Sequence, residues 1–289
     1  MYLKEILDAI GNSVNDTTLK STGTNASRTK SWVQQFYYLD LMPRRDWSFG
    51  KKQDTITTTS GTQRYNFPRW VDNPKRVENL INPTTYLPLT QSILKDVTGK
   101  YDLTIYNTPA EYVIGPRVRT TYTTGTLSGT SSTKVLTGSG TSWTTSNIAQ
   151  FDYIQIGSYA YTVNSVDSDT QITIFEDIVT TIAAATTYTA LLDRWTLDLF
   201  PVPNATLALI LYASQIVPRL DDDFDVPIIP DNWHWILVKA GVIKALQHNQ
   251  EDVSVEIQEL ERSIRMLISE DQSESDRIET VDIPRSRSY

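Results

Sequence analysis

The sequence predicts an α+β fold, with helices towards the two ends of the chain, β-strands between them, and an all-β domain inserted among the strands. Three observations carry that expectation. Apolar residues recur at spacings of three and four near both ends. Through the middle they alternate with period two. One central stretch is dominated by Thr, Ser and Gly, and Lys134 is its only basic residue between Thr120 and Asp193. At 289 residues the chain suits about two domains of ordinary size.

Leu3, Ile6, Leu7 and Ile10 fall on one face of a first helix, which Gly11-Asn12 should stop. A second helix starts near Ser27, an acceptable N-cap, carries Trp32, Phe36 and Leu39 on one side, and ends by Pro43. Trp47 and Phe49 of RRDWSF follow at once and should pack back on it. The period then changes. DTITTTSGTQRYNFP reads as a β-hairpin turning at Ser60-Gly61, and PLTQSIL, YDLTIY and AEYVIG read as short strands between proline breaks.

Within the Thr-rich stretch, KVLTG, DYIQIG, YTVNSV and TQITIF alternate as small antiparallel strands do. TLDLF and TLALILYA then flank a Pro-Val-Pro-Asn turn. From Asp231 the positions Trp233, Ile236, Leu237, Ala240 and Ile243 trace a helical stripe. After QHNQED a second stripe, Ile257, Leu260, Ile264, Leu267 and Ile268, completes an αα-hairpin. The expected domains are therefore 1–118 with 193–270, an inserted antiparallel β-domain at 119–192, and an extended tail at 271–289 with little to bury.

Composition excludes several classes. With 39% hydrophobic and 10% aromatic residues the chain can bury an ordinary core, so wholesale disorder is ruled out. A formal charge of −8 argues against generic affinity for a phosphate backbone, which needs clustered Lys and Arg. Lacking cysteine, the chain has no disulfides, thiolate ligands or cysteine nucleophiles. No apolar run approaches the roughly 20 residues that span a bilayer, so no membrane anchor is expected. MYLKEILDAIGNS also lacks the pattern of a signal peptide.

The stretch RLDDDFDVPIIPDNWHW looks most like a reactive site. Asp221, Asp223 and Asp225 match the 1-3-5 spacing of an EF-hand loop, but Val226 stands where the turn glycine belongs and Asn232 where a bidentate Glu belongs. The favoured reading is a solvated acidic loop whose last carboxylate, Asp231, caps the following helix, with a bound cation as the lesser alternative. The only histidines, His234 and His248, lie in no HExxH pattern, and no GxSxG occurs. TGSGTSW lacks the Lys-Ser/Thr ending of a P-loop. No catalytic constellation emerges, and neither an enzyme nor a cofactor is expected.

The order of these elements resembles the head–tail adaptor (connector) proteins of tailed bacteriophages. The resemblance is carried by the DWSF step, the RYNFP close, and LDLFPVPNATLALILYASQIVPRLDDDFDVPIIPDNWHWILVKAGVIKAL. In that pattern a strand ends at a Pro-x-Pro turn, and a second strand leads to an acidic loop, an Ile-Pro and a helical hairpin. It covers residues 1–118 and 193–289 and is most specific between Leu197 and Leu246. The central KVLTGSGTSWTTSNIAQFDYIQIGSYAYTVNSVDSDTQITIFEDI is similar to a small β-module that recurs in phage virion proteins.

The resemblance implies a structural protein of the virion neck, assembled in the host cytoplasm. It implies a homo-oligomeric ring, usually dodecameric, between the portal protein and a downstream tail or neck protein, with DNA passing the lumen without sequence-specific binding. A closed ring needs a heterologous interface, for which Trp32, Trp47, Trp233, His234 and Trp235 are the expected contacts. The C-terminal tail would dock on the portal through Ile283 and Pro284 as anchors, Arg285 and Arg287 as charges, and Tyr289. The alternative is a tail or host-recognition protein whose β-domain binds a receptor or glycan, with Tyr153, Tyr159 and Tyr161 as a stacking surface.

Overall fold

Leu3, Ile6, Leu7 and Ile10 stand one helical turn apart, and in the computed structural model all four are buried along one face of a helix. The structure describes residues 1–72, 74, 77–102 and 106–279, with side chains to 272. It is a mixed α+β fold. The helices in chain order are α1 (Leu3–Ser13), α2 (Ala26–Gln35), α3 (Leu94–Lys100), α4 (Trp235–His248) and α5 (Ser254–Glu279). The first strands are β1 (Lys51–Thr57), β2 (Arg64–Asn66), β3 (Val77–Ile81), β4 (Thr90–Gln91), β5 (Tyr106–Asn107) and β6 (Glu111–Tyr122). There follow β7 (Thr126–Gly129), β8 (Val135–Ser139), β9 (Tyr153–Ile156), β10 (Tyr159–Ser168), β11 (Gln171–Ile174) and β12 (Ile182–Thr186). The last three are β13 (Thr189–Phe200), β14 (Val202–Pro203) and β15 (Ala208–Ser214).

The chain divides into two compact units, residues 1–51 with the segment from 217 onward, and residues 52–216. The first unit is helical. α1, α2, α4 and α5 enclose Ile6, Ile10, Val33, Tyr37, Leu237 and Ile264. Each such side chain contributes about 1.5–3 kcal/mol when fully buried. Gly241 lets α4 approach α1, since a Cβ there would fall 2.2 Å from Ile10 Cδ1.

The expected stripe of Trp32, Phe36 and Leu39 needs correction. Val33, Phe36, Tyr37 and Leu41 are buried, Leu39 is 73% exposed, and Trp32 is half-buried. A π-turn over Phe36–Leu41 is the reason: its i→i+5 bonds widen the turn and bring Leu41 inward instead of Leu39. Trp47 does pack back, its indole N–H donating to the Met42 carbonyl at 3.2 Å and its ring stacking on Phe49.

The second unit is mostly β. A three-stranded sheet has the order β1-β15-β3. A larger sheet runs β12-β7-β8-β11-β10-β9-β13-β6-β4, and β2 also pairs with β13. β14 pairs with β5 in parallel. The antiparallel pair β6–β13 forms the spine, in register from Ala190↔Tyr122 to Phe200↔Glu111. Around one end gather Leu136, Trp143, Ile154, Ile172 and Leu192; around the other gather Ile56, Phe67, Leu80, Leu199 and Leu211. The boundaries expected at 118 and 193 thus fall inside the spine strands.

The segment read as a hairpin turns where expected, at Ser60-Gly61, with Gly61 at φ +78°. Its two arms do not pair, however. β1 joins β15 and β2 joins β13, in different sheets. Tyr65 secures the corner: its hydroxyl accepts from Thr59 N–H at 2.9 Å and donates to the Thr62 carbonyl at 2.7 Å. Of PLTQSIL, expected as a strand, only Thr90 and Gln91 form one, and α3 begins at its last residue, Leu94. YDLTIY includes residues outside those described, and only its Tyr106 is seen in a strand.

Candidate interaction surface

The helical hairpin begins from an irregular segment, residues 217–230, that forms no strand or helix. Its backbone groups must therefore find partners elsewhere. Side chains of α2 and the following turn supply several. Tyr37 and Tyr38 hydroxyls accept from Ile228 N–H at 3.0 Å and Leu220 N–H at 2.5 Å. Gln34 donates to the Leu220 carbonyl at 2.8 Å and to the Asp221 carboxylate at 2.9 Å, and Lys30 donates to the Asp221 carbonyl. Burial raises both phenols, Tyr38 to about 12.

The acidic loop turns inward on itself. Asp225 Oδ2 accepts the backbone N–H groups of Asp221 and Asp222, both at 2.6 Å. The carbonyls of Asp225 and Asp223 then accept from Leu3 and Lys4 at 2.8 and 2.9 Å, satisfying two free donors at the start of α1. Among the described residues no three His, Asp or Glu side chains come together as metal ligands.

Asp231 is not the cap it was expected to be. It occupies the first position of a 3₁₀ turn, makes no capping hydrogen bond, and its side chain is 89% exposed. Pro230 holds the position before the turn, so the carboxylate points to solvent, 3.8 Å from the Met1 nitrogen.

Three of the five expected interface residues are interior. His234 is fully buried: the Met1 nitrogen lies 2.7 Å from Nδ1, which leaves Nε2–H to donate to the Ile229 carbonyl at 2.6 Å. Trp233 is 7% exposed and its indole N–H donates to Glu270 at 2.9 Å. Trp47 is 2% exposed in the same core. An aromatic with a satisfied N–H suits a core as well as an interface, which is why composition misplaced them. Trp235 remains accessible at 40%, and half-buried Trp32 leans on His248 with ring centroids 5.9 Å apart. The expected tail contacts Ile283, Pro284, Arg285, Arg287 and Tyr289 lie outside the described residues.

The outer face of the hairpin carries exposed apolar residues at helical spacing. Trp235 stacks on Trp233 at 5.8 Å, and Lys239 lies 5.6 Å over the Trp235 ring while pairing with Glu259 of α5 at 2.6 Å. On α5, Val255, Glu259 and Met266 share one side at helical spacing, and Val255 and Met266 are 65% and 56% exposed. The signal was present in the sequence as apolar residues lying off the buried stripe. Ile257, expected on the buried stripe, is itself 40% exposed, whereas Leu260, Ile264 and Leu267 are buried.

Tyr153, Tyr159 and Tyr161 do not form one platform. Pairing of β9 with β10 sets Tyr159 and Tyr161 opposite Ile156 and Ile154, but Tyr153 opposite Thr162, on the other face. Tyr161 is also buried.

No protein-family model matches the chain, and no curated protein resembles it significantly.

Proposed function

We propose that the chain is a structural, non-enzymatic head–tail adaptor of a tailed phage. Copies form a ring beneath the portal, join it to a downstream tail or neck protein, and leave a lumen through which DNA passes. In this reading residues 1–118 and 193–270 are the adaptor body and 119–192 an inserted β-module; the extended tail expected from 271 is helical as far as Glu279, and the residues beyond that helix are the portal-docking tail.

The observation that carries the reading is the outer face of the αα-hairpin. Trp235, Val255 and Met266 are each at least 40% exposed and lie beside the Lys239–Glu259 pair. An apolar stripe with charges along it is the kind of surface that subunit contacts cover. The resemblance in element order between Leu197 and Leu246 points the same way.

Electron microscopy of the purified chain, alone and mixed with a portal, tests the proposal. Rings, or stacks on the portal, are expected, and Met266→Glu with Val255→Glu should leave single subunits. Fibres or trimers would instead favour a tail or host-recognition protein. A chain ending at Glu279 should still form rings but fail to bind the portal in a pull-down; full binding would remove the tail from the scheme.

A further inference from the structure

The β-rich unit holds an unusual cluster of charge. Two arginines approach one fully buried carboxylate, that of Asp152. Arg194 claims both oxygens: Nη1 donates to Oδ1, Nη2 donates to Oδ2 at 2.5 Å, and Nη2 also reaches the Asn147 carbonyl at 2.9 Å. Ala149 N–H adds a further bond to Oδ2 at 2.9 Å. The carboxylate has little left to offer. Arg69 stands outside this arrangement, with its Nε 3.7 Å from Oδ1 and its side chain only 15% exposed. That buried Nε makes no hydrogen bond, although a charged donor removed from water is costly to leave unpaired. Burial pulls the Arg69 pKa below the usual arginine value; the nearby Arg117 and Arg194 charges add to this, and Asp152 opposes it.

Arg69 and Arg194 both line an open cleft of about 610 Å³, the size of a small-molecule site. Its walls also carry Lys52, Asp54, Trp70 and Gln150. Asp54 is occupied by the Trp70 indole N–H at 2.7 Å, and Lys52 lies 5.3 Å over the same ring. With Asp152 beneath the floor, three cations face two carboxylates, in a protein whose net charge is −8.

We propose that this cleft binds the carboxylate of a small organic acid, with Arg69 as the recognising group. The planar fork of arginine fits a carboxylate, and one excess positive charge suits a single negative one. A dianion such as phosphate would carry a second charge that meets Asp54 on the wall. A sugar acid and an acidic amino acid share this chemistry, and Thr144 and Gln150 on the wall can bond to either. The proposal is independent of the adaptor reading.

The test uses the full chain with ¹⁵N-labelled arginine, titrated with D-glucuronate and with N-acetyl-L-glutamate α-amide. D-glucose and inorganic phosphate are the controls. One Nε–H resonance, missing from Arg69→Lys, is expected to shift saturably with a monocarboxylate, and the variant should bind about tenfold more weakly or worse. A response to glucuronate alone identifies a sugar acid, and a response to the glutamate derivative alone an amino acid. The same ligand should raise the melting temperature of the unaltered chain, a measurement that needs no folded variant. No saturable shift with either acid, no thermal stabilisation, an equal response to glucose, or tighter binding of phosphate would overturn the proposal.

Discussion

The acidic loop of the helical unit and the arginine cleft of the β-rich unit make opposite uses of charge. In the loop, four aspartates crowd five positions, yet Asp225 binds the loop's own backbone and two loop carbonyls close the start of α1. In the cleft, Arg194 bonds both oxygens of Asp152, while Arg69, 3.7 Å from the same carboxylate, has an Nε without a hydrogen bond. A dense run of like charges therefore marks a structural turn, and a cation whose Nε makes no hydrogen bond marks the better candidate for a ligand. What distinguishes a site from a scaffold here is unmet bonding capacity, not the number of charged residues.

Mutations can break or sharpen that contrast. The largest loss is expected from Arg194→Met, which strands buried Asp152 and should cost about 3–5 kcal/mol in urea unfolding. Asp225→Ala frees two backbone donors and should cost about 2 kcal/mol, with faster amide exchange in the first turn of α1. Tyr38→Phe leaves the Leu220 N–H without its acceptor and should cost about 1–2 kcal/mol.

Tyr38 also sets a pH dependence. Burial raises its pKa from 10.0 to about 12, so its contribution is complete below pH 10 and is lost as pH climbs through 12. Phenylalanine at that position should flatten the alkaline limb of the stability profile. Arg69→Met should move the other way, gaining about 1 kcal/mol, because it removes a desolvated charge whose Nε has no hydrogen bond. A loss of stability comparable to that of Arg194→Met would mean that Arg69 is structural. Asp231→Ala should leave the melting temperature unchanged, as an exposed side chain without a capping bond.

What the sequence revealed tracks the range of the interaction involved. The stripes Leu3/Ile6/Ile10 and Trp233/Ile236/Leu237/Ala240 were legible because helical periodicity is local. The corner at Ser60-Gly61 was legible as a turn but not as a change of sheet, since β1 finds its partner in β15 and β2 in β13, far along the chain. The inward turn of Leu41 depended on a π-turn that no residue pattern announced. The burial of His234 rests on a carbonyl five residues back, and the isolation of Arg69 on how Arg194 meets Asp152. Neither is written in spacing.

The β6–β13 spine has a mechanical consequence. Its hydrogen bonds lie across the strands, so tension applied along them is shared by every rung from Ala190↔Tyr122 to Phe200↔Glu111 at once. Peeling from one end would break the rungs singly, at far lower force. The ladder is interrupted between Trp195 and Leu197, where Gly115 passes so close to Thr196 that a Cβ would fall 2.2 Å from Oγ1. Under load the spine should therefore stiffen along its length and flex at that one point, behaving as a tie-rod with a built-in hinge.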